Sequence, residues 1–256
     1  MDLTLDYANA DFIPDGAAYP ARWATAAAAF RAAHPPQILP YGPGERQGLD
    51  LFRPAGAPEG LMVFVHGGYW RAFDRSLWSH LAAGALTRGW AVAMPSHDLC
   101  PAVRIGQITA QIRAAVVCAA GEVAGPLVLT GHSAGGQLVA RMACADVALP
   151  VIGRVRRVVP ISPLANLAPL MATAMNADLR IDAPEAAAES PMLHPRPLVP
   201  VTVRVGGAER PVFLDQARWL GRAWNAPVVV EKGRHHFDIV EGLGDAGSDL
   251  MEALLG

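Results

Sequence analysis

The sequence is poor in charge and in cysteine. Only 17% of its 256 residues are Asp, Glu, Lys or Arg, and 21 basic residues against 23 acidic ones leave a formal net charge of −2. Such a balance, with Arg scattered rather than clustered, lacks the electrostatic footprint of a nucleic-acid binder. The three cysteines, Cys100, Cys118 and Cys144, are an odd number without CxxC or Cys/His spacing. They imply neither a disulfide framework nor a zinc site, so reduced thiols, no metal and no cofactor are expected. The longest apolar runs, Leu61 to Val65 and Ala114 to Ala120, fall far short of the roughly 20 residues that span a bilayer, and no membrane partner is expected. The start of the chain, Met1-Asp2-Leu3-Thr4-Leu5-Asp6, is acidic and lacks the basic and apolar regions of a secretory signal, which points to the cytoplasm. Internal repeats are also missing, and Pro and Gly are spread along the chain instead of gathering in a linker, so a single domain over 1–256 is expected.

What the sequence has in quantity is apolar residues, 52% of the total, arranged in an alternating pattern. An Ala-rich stretch from Pro20 to Ala33 predicts an N-terminal helix with Trp23, Ala27 and Phe30 on one face, stopped by His34-Pro35-Pro36. Strands are predicted at Leu61 to Val65, Trp90 to Met94, Leu127 to Thr130, Val155 to Ile161, Val201 to Val205 and Val228 to Val230. Helical patterns near Ser76 to Thr87, Ile105 to Ala120 and Ala134 to Ala145 separate the earlier ones. Short continuous apolar runs between helices describe a doubly wound, mostly parallel α/β sheet with helices on both faces. Pro163 to Pro200 is longer than a crossover requires and is expected to form a small cap insertion over the strand ends.

The strongest local signal is Gly131-His132-Ser133-Ala134-Gly135, a G-x-S-x-G run after a predicted strand and before a predicted helix. That context makes Ser133 a nucleophile on a sharp turn and the Ala134 amide an oxyanion donor at a helix N-terminus. His132 is expected to point to the other side of this turn. The second signal, Val65-His66-Gly67-Gly68-Tyr69-Trp70, again follows a strand. It stands where α/β-hydrolases of the lipase and esterase type carry HGGG, so the amides of Gly68 and Tyr69 are the further oxyanion donors and His66 orders the loop. Chain order in this fold then asks for an acid and a histidine after the serine. His194 falls in the insertion, whereas His235 and His236 follow the last predicted strand. His236 is preferred because Phe237 can pack and fix the loop, with His235 as the alternative. Glu209, after the strand ending at Val205, is the candidate acid, in competition with Asp238 and Asp215.

These blocks resemble the kynurenine formamidase (arylformamidase) branch of the α/β-hydrolases, in which HGGYW replaces HGGG. Tyr41-Gly42-Pro43 with Leu49-Asp50-Leu51-Phe52, Asp98-Leu99-Cys100-Pro101, the Gly131 to Gly136 run and Arg234-His235-His236-Phe237-Asp238-Ile239-Val240 carry the resemblance over nearly the whole chain. It implies the α/β-hydrolase fold, with Ser133 as nucleophile, His236 as base and Glu209 as acid. Two departures stand out: the family's acid is expected to be Asp, and Ser96-His97 replaces a more usual Asn-Tyr pair. The implied activity is hydrolysis of N-formyl-L-kynurenine through an acyl-enzyme, with hydrolysis of small acyl or aryl esters as the alternative and a non-catalytic binding protein as a more distant one. The implied partner is a small molecule, an aryl formamide or ester, and a homodimer is compatible with it. Tyr69 and Trp70 are the expected substrate-binding residues, offering a surface to an aromatic leaving group. Arg71, Arg104 and Arg180 are unranked candidates for holding a substrate carboxylate.

Overall fold

The computed structural model describes residues 2–256. Eight strands, β1 (Gln37–Pro40), β2 (Gly48–Phe52), β3 (Leu61–Val65), β4 (Ala91–Pro95), β5 (Leu127–His132), β6 (Val155–Ile161), β7 (Val203–Gly206) and β8 (Val228–Glu231), form one sheet in the order β1-β2-β4-β3-β5-β6-β7-β8. From β4 onwards in that order the pairing is parallel, and β1 and β2 add an antiparallel edge. The helices are α1 (Tyr19–Ala33), α2 (Ala83–Thr87), α3 (Ile105–Glu122), α4 (Ala134–Ala143), α5 (Asn176–Leu179), α6 (Ala183–Glu189), α7 (Pro211–Trp224) and α8 (Asp249–Leu255). The α/β-hydrolase architecture expected from the sequence is therefore present.

The central strands are buried along their whole length, and β3, β4 and the first half of β5 are accordingly apolar on both faces. Because successive side chains point to opposite faces, Leu61, Val63, Val65, Leu127 and Leu129 enter a core shared with α3, α4 and α7. Met62, Phe64 and Val128 enter a second core with Trp23 of α1, Trp78, and Leu250 and Leu254 of α8.

The predicted strands and helices agree with the observed ones to within a few residues, with two differences in kind. The helical pattern near Ser76 begins as 3-10 turns over Arg75–Ala82 before α2. The antiparallel edge was not expected as strands at all: β1 is short and ends in Pro40, and β2 carries a carboxylate, Asp50, at its centre. Asp50 is wholly buried there because Arg31 of α1 and Arg75 both bond it, the latter from Nε at 2.9 Å.

Residues 163–200 pack one apolar side into the molecule's interior and expose the other. Leu164, Leu167, Leu170, Leu179, Ile181 and Ala186 are all buried in the first core. Glu189 is held by Thr109 Oγ1 at 2.6 Å and by Arg141 Nε at 3.3 Å. Residues 2–18 cross the carboxyl ends of the strands as an ordered strap: Leu3 N–H donates to the Ala172 carbonyl at 2.8 Å, and Arg210 Nη2 donates to the Leu5 carbonyl at 3.1 Å.

Candidate active site

Ser133 stands at the junction of β5 and α4 with φ 56° and ψ −117°. For a residue with a Cβ this backbone costs roughly 1–3 kcal/mol, and the surroundings hold it there. Ser133 N–H donates to the Ile161 carbonyl at 2.9 Å. Gly135 packs so closely against β3 that a Cβ on it would lie 2.0 Å from the Val65 carbonyl oxygen, which explains the small residue after the turn. The strain lifts the serine out of the helix start, and among the described residues its Oγ takes part in no hydrogen bond.

Ser133 faces a cavity of about 370 Å³ at the carboxyl ends of the strands. One wall is the 66–70 loop, whose tightness depends on Gly68: its φ is +113°, and a Cβ there would meet the Ala72 carbonyl oxygen at 2.4 Å. The N–H groups of Gly68 and Tyr69 have no partner among the described residues, and that of Ala134 is at the free N-terminus of α4. Tyr69 also has a positive φ, 50°. Its hydroxyl donates to the Tyr7 carbonyl at 2.6 Å, and burial raises its phenol pKa well above the ordinary value.

Glu209 and His236 form a buried pair, and the His236 ring packs against that of His132, the residue before Ser133. His236 Nδ1 donates to Glu209 Oε2 at 2.6 Å, with side-chain exposures of 3% and 0%. The other carboxylate oxygen, Oε1, accepts from Gly206 N–H at 2.7 Å and from Ser162 Oγ. A carboxylate with both oxygens occupied is fixed in orientation, and it fixes the imidazole in turn. The two rival acids lie elsewhere. Asp238 accepts from His235 N–H at 2.7 Å and so shapes the loop, while Asp215 is at the surface beside Arg218. The rival histidines also have other partners: His235 Nε2 meets Tyr19 Oη at 3.1 Å, and His194 Nε2 donates to the Ala188 carbonyl at 2.8 Å. Phe237 packs on Trp23 and Tyr19 of α1, as expected for the residue that anchors this loop.

Two expectations need correction. Trp70 is in the core, 1% exposed, with its Nε1 donating to Gln137 Oε1 at 3.0 Å, and it does not line the cavity. The positive φ at Trp70, 57°, turns its ring under the loop. The aromatic wall comes from Trp23, Phe73, Trp78 and Phe237, which are distant from the loop motif in sequence or lie beyond it. His132, expected on the far side of the turn, instead lines the cavity and packs against His236 with ring centroids 4.6 Å apart. Burial, then the adjacent His236, drives its pKa well below the ordinary value, so it stays neutral. His66 bonds the Gly67 carbonyl through Nδ1 at 2.7 Å and stacks on His97, in keeping with an ordering role.

The strap contributes residues that sequence reasoning did not single out: Thr4, Tyr7, Ala8, Asn9 and Ala10 all line the cavity. No motif marks them, because their role depends on the chain folding back over strand ends far away in sequence.

No family model matches the chain. The kynurenine formamidase of Salmo salar is 26% identical over 238 residues, 85% of this chain and 80% of that protein. A crystal structure from Silicibacter sp. tm1040, provisionally described as a thioesterase, is 53% identical, covers 100% of both chains and superposes with a TM-score of 0.96. Esterase B of Lactobacillus rhamnosis, 20% identical over 93% of this chain and 90% of its own, shares the fold with a TM-score of 0.67. No helix among the described residues is long and apolar enough to cross a membrane. The chain is a hydrolase with the α/β-hydrolase fold, similar in sequence to kynurenine formamidases and in structure to esterases.

Proposed function

We propose that the protein is a serine hydrolase that cleaves aryl formamides, N-formyl-L-kynurenine foremost, through a formyl-enzyme intermediate. The observation that supports this reading is the buried Glu209–His236 pair, 2.6 Å from oxygen to Nδ1, together with a strained Ser133 that opens on an aromatic cavity. Ser133 Oγ attacks the formyl carbon while its proton passes to His236, and the resulting imidazolium is held by Glu209. The carbonyl oxygen becomes an oxyanion within reach of the amides of Gly68, Tyr69 and Ala134. On collapse the C–N bond breaks, His236 gives its proton to the aryl amine nitrogen, and the ring leaves. Water, deprotonated by His236, then attacks the formyl ester and releases formate and free Ser133.

The shape of the cavity supports a small acyl group and a large leaving group. Gly67 approaches Ser133 so closely that a Cβ on it would lie 3.1 Å from the serine Cβ, so the acyl side is narrow. Trp23, Phe73, Trp78 and Phe237 offer the aryl side a stacking surface. Arylamine is also a better leaving group than alkylamine, and the formyl carbon is unhindered.

The description of the Silicibacter relative favours a second reading, hydrolysis of a thioester or ester by the same three residues. Turnover of N-formyl-L-kynurenine, 4-nitrophenyl acetate and acetylthiocholine, measured side by side, separates the two. The formamide is expected to have the highest kcat/KM; negligible formamide cleavage beside brisk cleavage of either other compound would reject the primary reading.

A further inference from the structure

We propose that Phe213 is a positioning residue of the reaction: its ring, set against the imidazole of His236, stabilises the cationic form that His236 takes up when Ser133 attacks. The inference rests on the serine-hydrolase reading above and gives α7 a share in holding the imidazolium, a task the motifs assign to Glu209 alone. The two residues come from one short segment, Glu209 just ahead of α7 and Phe213 as its third residue. Glu209 Oε2 meets the edge of the imidazole at Nδ1, 2.6 Å away. Phe213 brings its ring centroid to 4.2 Å from that of His236, with 41° between the planes. That is shorter than the roughly 4.5–7 Å usual between aromatic rings and well inside the limit of about 6 Å within which a cation is attracted to an aromatic face. Phe213 is wholly buried and held in place: its N–H donates to the Arg210 carbonyl at 3.0 Å, and Tyr7 of the strap packs edge-on against it.

His236 is 3% exposed, so a charge on it is stabilised by its neighbours more than by water. Glu209 takes the Nδ1 side. His132 of β5 packs its ring at 4.6 Å, and burial, then the adjacent His236, keeps it neutral, so it brings no second positive charge. Arg210 shares the wall of a cavity of about 20 Å³ with His236 and Glu209, and its guanidinium lies over the Phe12 ring; its charge opposes protonation of the imidazole, whereas the π face of Phe213 and the carboxylate favour it. On the loop that carries His236, His235 meets Tyr19, and Asp238 accepts from His235 N–H and, with Glu241, pairs with Arg234.

Phe213 does not line the cavity that Ser133 faces. Its influence on the reaction therefore passes through His236, and it belongs to kcat instead of substrate binding. Leucine would fill most of the same space without offering a π face.

The attraction depends on the electron density of the ring, which fluorine withdraws with little change in size. The test replaces Phe213 by para-fluoro-, difluoro- and trifluorophenylalanine, with Phe213→Leu as the limit, and measures hydrolysis of N-formyl-L-kynurenine and 4-nitrophenyl acetate across pH, with Tm for each protein. Along the series kcat is expected to fall step by step, by about tenfold at its end, with KM unchanged. The acidic limb of kcat/KM against pH should move to lower pH in the same order, because the protonated imidazole loses a stabilising neighbour. A kcat independent of fluorination, or a loss that follows Tm instead of fluorination, overturns the inference and leaves the serine-hydrolase reading intact. Wild-type protein that cleaves neither compound, or Ser133→Ala protein that cleaves them undiminished, overturns that reading and this inference with it.

Discussion

The Tyr69 hydroxyl donates to the Tyr7 backbone carbonyl at 2.6 Å and thereby joins the N-terminal strap to the loop beside Ser133. Tyr7 is itself fixed, 1% exposed, with its hydroxyl accepting from Gln216 Nε2 of α7 at 2.9 Å. The chain from α7 through Tyr7 to Tyr69 therefore bears on a residue whose backbone is already in a strained conformation. Its amide is a proposed oxyanion donor, so the alignment of that amide depends on the strap.

Tyr69→Phe tests this coupling. The ring and its packing remain, and only the bond to Tyr7 is lost. The amide would then be less well aligned in the transition state than the ground state requires, and kcat is expected to fall about tenfold with little change in KM. Steady-state kinetics on 4-nitrophenyl acetate, with the rate of organophosphonate labelling of Ser133, reads the effect. A changed KM at constant kcat would show that the hydroxyl serves the cavity's shape instead.

The acid position yields a graded prediction. Glu209 accepts three hydrogen bonds, from Ser162 Oγ, Gly206 N–H and His236 Nδ1. Glu209→Gln keeps the length but removes the charge that stabilises the imidazolium, and kcat is expected to drop by about 10²–10⁴. Glu209→Asp keeps the charge but withdraws the carboxylate by one methylene, so the three bonds cannot all be retained; a loss of about tenfold is expected. Rate measurements that place the Asp variant below the Gln variant would contradict the proposed role. The same geometry explains how Glu can stand where Asp was expected: the strand end at Gly206 sets the carboxylate back far enough to use the extra length.

Much of this site could be read from the sequence because it is local. The turn at Ser133 and the loop at Gly67-Gly68 are dictated by steric demands of adjacent residues, and those demands select glycine and serine at set spacing. The parallel strands were legible because burial on both faces requires unbroken apolar runs. β2 was not, since Asp50 is tolerated by arginines contributed from 19 and 25 residues away. The aromatic wall and the strap were hidden for a related reason: Trp23, Trp78 and Tyr7 acquire their roles only through tertiary packing. Trp70 misled because its neighbours in the motif face the cavity, whereas its own positive φ turns it inwards.

Buried neutral histidines make stability pH-dependent. Burial lowers the pKa of His66 from 6.5 to about 4, partly opposed by its bond to the Gly67 carbonyl, and burial beside His66 lowers that of His97 to about 3. In the unfolded chain both protonate near the ordinary value, so on acidification the unfolded state takes up protons first. The stability is fully present above about pH 6.5 and is lost as pH falls through the window down to the folded-state values, by about 1 kcal/mol per histidine per pH unit. Thermal unfolding between about pH 7.5 and about pH 5 should show a falling Tm. His97→Asn should flatten that dependence, and a Tm independent of pH over this range would refute the assignment of neutral, buried imidazoles.

The pair of arginines around Asp50 supports a final prediction about the sheet edge. Asp50 has no side-chain exposure, and its two oxygens serve Arg31 on α1 and Arg75 ahead of α2. Arg31 also donates to Ser79 Oγ at 3.1 Å, and Arg75 to Ser96 Oγ at 3.3 Å, so one carboxylate ties together β2, α1 and the segment leading to α2. Asp50→Asn preserves the shape but removes the charge and leaves two partly buried cations facing one neutral amide. Both arginines retain some solvent access, 25% and 21%, which moderates the penalty, and a destabilisation of about 3 kcal/mol is expected. Chemical denaturation should show it as a lower midpoint at unchanged slope. Because α1 carries Trp23 into the cavity wall, loosening this tie should also raise KM for an aromatic substrate more than it lowers kcat; a stable Asp50→Asn protein with unaltered KM would show that the edge and the cavity are independent.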